Sequence, residues 1–240
     1  MLSAELKKLA LQKILENSPK LFFISTLYVA AIATLGVIRF RLPGTAYAWE
    51  QFLARLSAGE LPGMGMLLSN FRTGGLVLFV VIGIVTPVIS AGFMSYCLKI
   101  NRKQDTDYTD LFEGFLLFIE IILISIIVFV KVILWSLLFI IPGIVAAYKY
   151  RQVYYILLDD PEKDAFQCIR ESELLMSNNK MELFLLDVSF LGWVMFNWII
   201  MILTSFISPI ALPLISLFLT PYRGLARAAF YEKIVKEAVI

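Results

Sequence analysis

Apolar residues fall along this chain in long unbroken blocks, without the short alternations of soluble strands or the narrow stripes of surface helices. Residues 21–38 run 18 positions without a charge, residues 74–98 run 25, and residues 183–207 run 25 with Asp187 as their one charged side chain. A hydrocarbon core about 30 Å thick needs about 20 apolar residues per helix. Each block therefore predicts a membrane-spanning α-helix. A shorter apolar run, 209–222, predicts a last span that continues as a basic helix over 223–240.

Residues 111–151 are harder to divide. They are apolar apart from Glu113, Glu120, Lys131, Pro142, Gly143 and Lys149. They form either a hairpin of two spans, 111–130 and 132–150, or one long kinked helix. Basic residues collect on the cytoplasmic side of a membrane, which separates the two readings. The hairpin puts 16 of the 21 Lys and Arg residues on one side, together with both termini, and leaves Arg39, Arg41, Arg55, Arg72 and Lys131 on the other. The single helix splits them 13 to 7 and buries Lys131. The expected fold is thus all-α: a polytopic transmembrane bundle of six spans in three hairpins, about 21–38, 74–98, 111–130, 132–150, 183–207 and 209–222. Five spans with one long kinked helix is the alternative. The hairpin tip at Lys131 lacks the Gly, Pro or Asn that usually marks a turn.

Between the spans lie interfacial pieces. Residues 1–20 predict a cytoplasmic amphipathic segment. Residues 39–73 form the sizeable outer loop, with Tyr47, Trp49, Phe52 and Leu56 lying on the bilayer. Residues 159–180 form the main inner loop. There Asp160 and Pro161 read as a helix start, Ala165, Ile169, Ser172 and Met176 recur at helical spacing, and Ser177, Asn178 and Asn179 end the helix.

Composition supports a single integral membrane domain over 1–240: 60% of residues are apolar and 17% charged, against about 45–50% and about 25% in soluble domains. There is no histidine, which removes His-based acid–base chemistry and His-ligated metal sites. Cys97 and Cys168 form no metal or redox motif and read as small packing residues. No G-x-S-x-G, Gly-rich phosphate loop or metal cluster is present, so the sequence points to a non-enzymatic protein with no cofactor. The basic residues sit where topology requires them, and no nucleic-acid partner is implied.

A few polar positions stand out. In the six-span reading Glu120 falls near the bilayer centre, where an acid marks a functional site by default. Glu113, seven residues earlier, would share its helical face. The pair reads either as a cation or proton path or as a protonated Glu120 bonded to another span with Glu113 at the interface. Asp187 lies one turn inside its span and is expected to pair with Lys180 or Lys149. Pro142 and Gly143 read as a kink inside the fourth span, for packing or for a transporter site. Arg223, Arg227, Lys233 and Lys236 on the helix leaving the last span are candidate contacts for anionic lipid headgroups, or signals of topology.

The ordered series Ile141-Pro142-Gly143-Ile144, Tyr148-x-Tyr150, Tyr155-Ile156-Leu157-x-Asp159-x-Pro161, Ile169-x-x-Ser172, Met176, Lys180, Leu183-Phe184, Ser189-Phe190-x-x-Trp193, Pro221-Tyr222 and Phe230-Tyr231 resembles the bacterial integral membrane proteins grouped as domain-of-unknown-function family 975. More distantly it looks like the membrane domain fused to some glycerophosphodiester phosphodiesterases. The resemblance implies a polytopic protein of the bacterial cytoplasmic membrane and supplies no catalytic residues. The leading expectation is a protein that organises, senses, or binds lipids or partners. The alternative is a small transporter or permease component using Glu120 and the Pro142–Gly143 kink. Reporter fusions at residues 20, 60, 105, 165 and 240 are expected to place only the residue-60 fusion outside the cytoplasm. An outside signal at 165 rules out any hairpin in 111–150.

Overall fold

The computed structural model of the chain describes residues 2–17, 19–41, 54–59, 73–205 and 214–239. Among these residues the structure is helical, with no strand. The helices are α1 (Leu2–Asn17), α2 (Lys20–Arg41), α3 (Thr73–Asn101), α4 (Glu113–Leu116), α5 (Phe118–Leu138), α6 (Ile140–Lys149), α7 (Val153–Asp159), α8 (Ala165–Leu175), α9 (Lys180–Ser189), α10 (Leu191–Ser205) and α11 (Leu214–Val239). A short 3₁₀ helix, Tyr108–Phe112, precedes α4. The outer-loop aromatics Tyr47, Trp49 and Phe52, and the first part of the expected last span at 209–213, lie outside the described residues.

Contacts divide the chain into two compact units, Met1–Val29 with Val88–Ile240, and Ala30–Pro87. In the second unit Ile82 is buried, and Thr34 and Thr86 return their hydroxyls to the carbonyls of Ala30 and Ile82, each at 2.7 Å. Hydroxyls bonded back to their own helix hide a polar group at little cost where water is scarce.

The first unit is built round one apolar cluster. α1 contributes Ala10 and Ile14, the end of α3 contributes Tyr96 and Cys97, and α7 contributes Val153, Ile156 and Leu157. Cys168 of α8, Leu183 and Leu186 of α9, and Leu225, Ala226, Phe230 and Ile234 of α11 complete it. In α11, positions 226, 230 and 234 fall one turn apart, so one face is apolar throughout. Small residues let helices approach closely: a Cβ on Gly224 would lie 2.8 Å from Cys97 Sγ and 2.9 Å from the Phe93 ring.

Among the described residues, three helices are long and apolar enough to cross a membrane: Val80–Asn101, Phe118–Leu138 and Lys180–Ile200. A fourth is reached if Ser3–Asn17 and Lys20–Gly36, bent by 106°, count as one span. Six full-length spans are not reached among the described residues.

The 111–150 region departs most from expectation. The helix expected to end at 130 continues through Lys131 to Leu138, because nothing at 131 stops it. The chain reverses at Phe139, which is extended at φ −161°, ψ 154°. Pro142 therefore lies in the first turn of α6, where a missing N–H removes no helical bond, and Pro142 with Gly143 starts a helix instead of kinking one. Gly143 lets the two limbs meet: a Cβ there would collide with Ser136 of α5. The inner-loop helix starts at Ala165, four residues later than Pro161 predicts. Its cap is Asp164, whose side chain accepts from Gln167 N at 2.7 Å while Gln167 Oε1 accepts from Asp164 N at 3.2 Å, a reciprocal capping box.

Two glycines fix the packing of α3 against the following segment. A Cβ at Gly92 would run into the Leu111 carbonyl, and one at Gly114 into the Val88 carbonyl. Backbone cannot move aside as a side-chain tip can, so Gly92→Ala is expected to cost ~2 kcal/mol or more. Thermal unfolding in detergent reads this as a lowered midpoint. Gly192→Ala, which opens into free space, is the control expected to leave it unchanged.

Candidate functional site

The first cluster of charge sits where α6, α9 and α11 meet. Asp187 of α9 accepts from Arg227 Nε at 3.0 Å and from Arg227 Nη2 at 2.6 Å, both on Oδ1. Tyr148 of α6 donates to Oδ2 of the same carboxylate at 3.2 Å. Asp187 and Arg227 keep 15% and 22% of their side-chain surface exposed, so water screens the pair only weakly and the attraction is stronger than at an open surface. Asp187 is thus anchored as expected, but by Arg227 rather than by Lys180 or Lys149. The lysines lose because α11 brings a guanidinium directly to the carboxylate, while Lys149 is held by Glu173 at 3.3 Å.

Two more arginines share this region. Arg223 lies one turn before Arg227 on α11, and its Nε is buried with no hydrogen-bond partner. Arg151 occupies the turn between α6 and α7. Neither has a carboxylate of its own among the described residues. Burial pushes the Arg223 guanidinium below its ordinary pKa, and Arg227 and Arg151 push the same way. Arg151 is exposed, and burial, followed by the charge of Arg227, pushes its guanidinium below the ordinary pKa, with Asp187 opposing. Three guanidiniums therefore share one carboxylate.

A second network closes the ends of α3, α7 and α11. Lys99 donates to Asp110 at 2.8 Å and to Glu113, which also accepts from Ser95. Arg102 reaches Asp159 at 2.5 Å and Glu232 at 3.2 Å. Tyr231 donates to Asp159 at 3.0 Å, and burial followed by the neighbouring Asp159 charge pushes its phenol well above the ordinary range. The turn that presents Arg102 closes with Gln104 N on Lys99 O at 3.0 Å and Lys103 at φ 56°, a left-handed helix cap. A cavity of about 400 Å³ opens beside this network, lined by Ser95, Lys99, Arg102, Gln104, Glu113 and Leu158 among others. Both cations of the lining, Lys99 and Arg102, are already bonded to acids.

The remaining candidates are dispersed. Glu120 lies in the first turn of α5, at the end of the apolar helix and not at its centre. It does not continue a face from Glu113, because Leu117 (φ −106°, ψ 29°) interrupts the helix between them. Lys233 pairs with Glu182 at 3.2 Å and Glu237 at 3.3 Å, while Lys236 is exposed. Phe230, Tyr231 and Ile234 of the same helix are buried in the protein core. Of the four basic residues proposed from the sequence, Arg223 is the one that keeps an unsatisfied buried donor. Arg151 carried no motif; its one sequence signal is a basic residue immediately after a long apolar run.

Removing one member of a poorly hydrated ion pair leaves the other uncompensated. Asp187→Asn, which strips the one acid from three arginines, is expected to destabilise by ~3 kcal/mol. Glu237→Gln, at the 52%-exposed partner of Lys233, is expected to shift unfolding by well under ~1 kcal/mol. Equal shifts for the two variants in detergent melts contradict the central role of Asp187.

No curated protein and no solved structure matches the chain. Residues 137–238 do match a family, and they take in α6 to α11 with Tyr148, Arg151, Asp187, Arg223 and Arg227 all inside the matched segment. Over that segment the chain is similar to the family described as "Protein of unknown function (DUF975)".

Proposed function

We propose that the chain is a multi-pass protein of the bacterial cytoplasmic membrane, with both termini cytoplasmic, that catalyses no reaction and binds anionic lipid headgroups at Arg151, Arg223 and Arg227. One observation carries the reading: Arg223 has a buried Nε with nothing to bond, one turn before Arg227, whose guanidinium already holds Asp187. A phosphate oxygen supplies what this arrangement lacks, since guanidinium forks match phosphate in charge and geometry. The cluster stands at the end of the apolar run of α9 and α10 on the side rich in Lys and Arg, which is where headgroups of an inner leaflet would meet it.

A transporter or permease component is less well supported. Its two working parts were an acid at mid-membrane and a broken helix beside it. Glu120 sits in a helix's first turn, and Pro142 and Gly143 begin a helix some 20 residues away.

The reading is tested on the purified full chain in detergent. Added phosphatidylglycerol is expected to raise the unfolding midpoint by several degrees and phosphatidylcholine to leave it unmoved, with the gain shrinking as salt screens the contact. The double variant R151Q/R223Q keeps the Asp187–Arg227 pair and is expected to lose the gain. Equal stabilisation by both lipids, or an undiminished gain in the double variant, overturns the assignment.

A further inference from the structure

We infer that residues 132–148 form a re-entrant hairpin that enters only the cytoplasmic half of the bilayer, its exposed apolar tip seated among the acyl chains of one leaflet. This rests on the membrane reading above and replaces two full crossings with none.

The base of the hairpin is fixed by charge. Lys131 of α5 and Lys149 of α6 both bond Glu173 of α8, at 3.4 Å and 3.3 Å. Both ammonium groups also lie over the Tyr150 ring, at 5.1 Å and 5.8 Å from its centroid. Positions 131 and 149 are therefore at one level. Glu173 cannot follow them into hydrocarbon, because α8 also carries Gln167, Arg170 and Glu171, and each charge at the bilayer centre costs about 2.5–3.5 kcal/mol even on insertion scales. α5 alone is long enough to cross a membrane; α8, packed along it, is what holds Lys131 at the polar level.

Above that level there is too little chain for a crossing. At 1.5 Å per residue, 132–138 climbs about 10 Å and 140–148 descends about 14 Å, against about 15 Å for one leaflet and about 30 Å for the whole core. A full span starts from the same level for comparison. Tyr148 is bonded to Asp187, and from Asp187 the chain continues helically to Ser205, with one irregular step at Phe190, a rise of about 27 Å.

The tip is built for lipid. No charge occurs between Lys131 and Lys149. Leu137, Phe139, Ile140 and Ile141 are 71–78% exposed. Ser136 returns its hydroxyl to Val132 O at 2.7 Å. The reversal itself leaves few bare backbone groups, the condition for irregular chain at membrane depth. Phe139 N bonds Trp135 O and Gly143 N bonds Phe139 O, each at 3.3 Å, and Pro142 has no N–H to satisfy. Because a re-entrant hairpin returns to its own side, the termini stay where the basic residues put them, and Lys131 moves to the inner side. Only Arg39, Arg41, Arg55 and Arg72 are then outside.

The test places single cysteines at Phe139 and Ser57 in the full chain, leaving the buried Cys97 and Cys168 in place. An impermeant maleimide applied to intact cells is expected to label S57C, in the outer loop, and not F139C. In proteoliposomes a nitroxide on F139C is expected to respond strongly to oxygen and weakly to a water-soluble nickel chelate, at a depth near the midplane. Labelling of F139C from outside means the hairpin crosses, and strong nickel contact means it never enters; either overturns the inference. Absence of outside labelling at S57C instead breaks the membrane topology on which it rests.

Discussion

The pair between Asp187 and Arg227 is the joint on which the rest of the first unit turns. It bridges 40 residues of sequence and fixes α9 against α11, while Tyr148 on the second carboxylate oxygen brings in α6. Partly buried charges are costly unless each finds its counterpart in good geometry, so α9 and α11 cannot slide without stranding one or the other. Arg223 and Arg151 are held in the same neighbourhood as a result. The unmatched positive charge is a by-product of a joint that satisfies only one of its three guanidiniums.

Charge matching runs through the other polar contacts as well. Lys99 is met by Asp110 and Glu113, Arg102 by Asp159 and Glu232, and Lys131 and Lys149 by Glu173. At Glu173 burial works to raise the carboxyl, but hydrogen bonds with Tyr150 and Lys149 and the charges of both lysines win and hold it below the usual carboxylate range. Its contribution is therefore present above the unfolded carboxylate pKa and fades as the pH falls through the lower folded value. Beside these bonded cations, Arg223 stands apart, with a buried Nε that has no hydrogen-bond partner.

Much of the helical architecture was legible because hydropathy acts locally. The apolar blocks at 21–38 and 74–98 fall within α2 and within α3, the described part of 183–207 lies across α9 and α10, and the inner-loop helix appears and ends at Leu175, just before the polar cluster Ser177–Asn179. What failed was of two kinds. Turn signals were misassigned at short range: Pro142 and Gly143 carry the signature of a helix start, and the reversal at Phe139 bears no Gly, Asn or Pro of its own. Partnership over long range could not be read at all. Nothing near Asp187 singles out a guanidinium 40 residues on over Lys180 or Lys149. In the C-terminal helix the charges drew attention first, while its small residues, Gly224, Ala226, Ala228 and Ala229, describe a surface made for close packing, and the three alanines are buried.

The seating of α1 on α11 has a bearing on how the protein is made. Ala10 and Ile14 are translated more than 200 residues before the face that covers them, with Phe230 and Ile234. Throughout that interval the core of the first unit lacks its closing wall, and the early helix must wait as an open apolar strip. Synthesis of the intervening segments is then separated in time from consolidation of the core, which becomes possible only once α11 clears the exit tunnel.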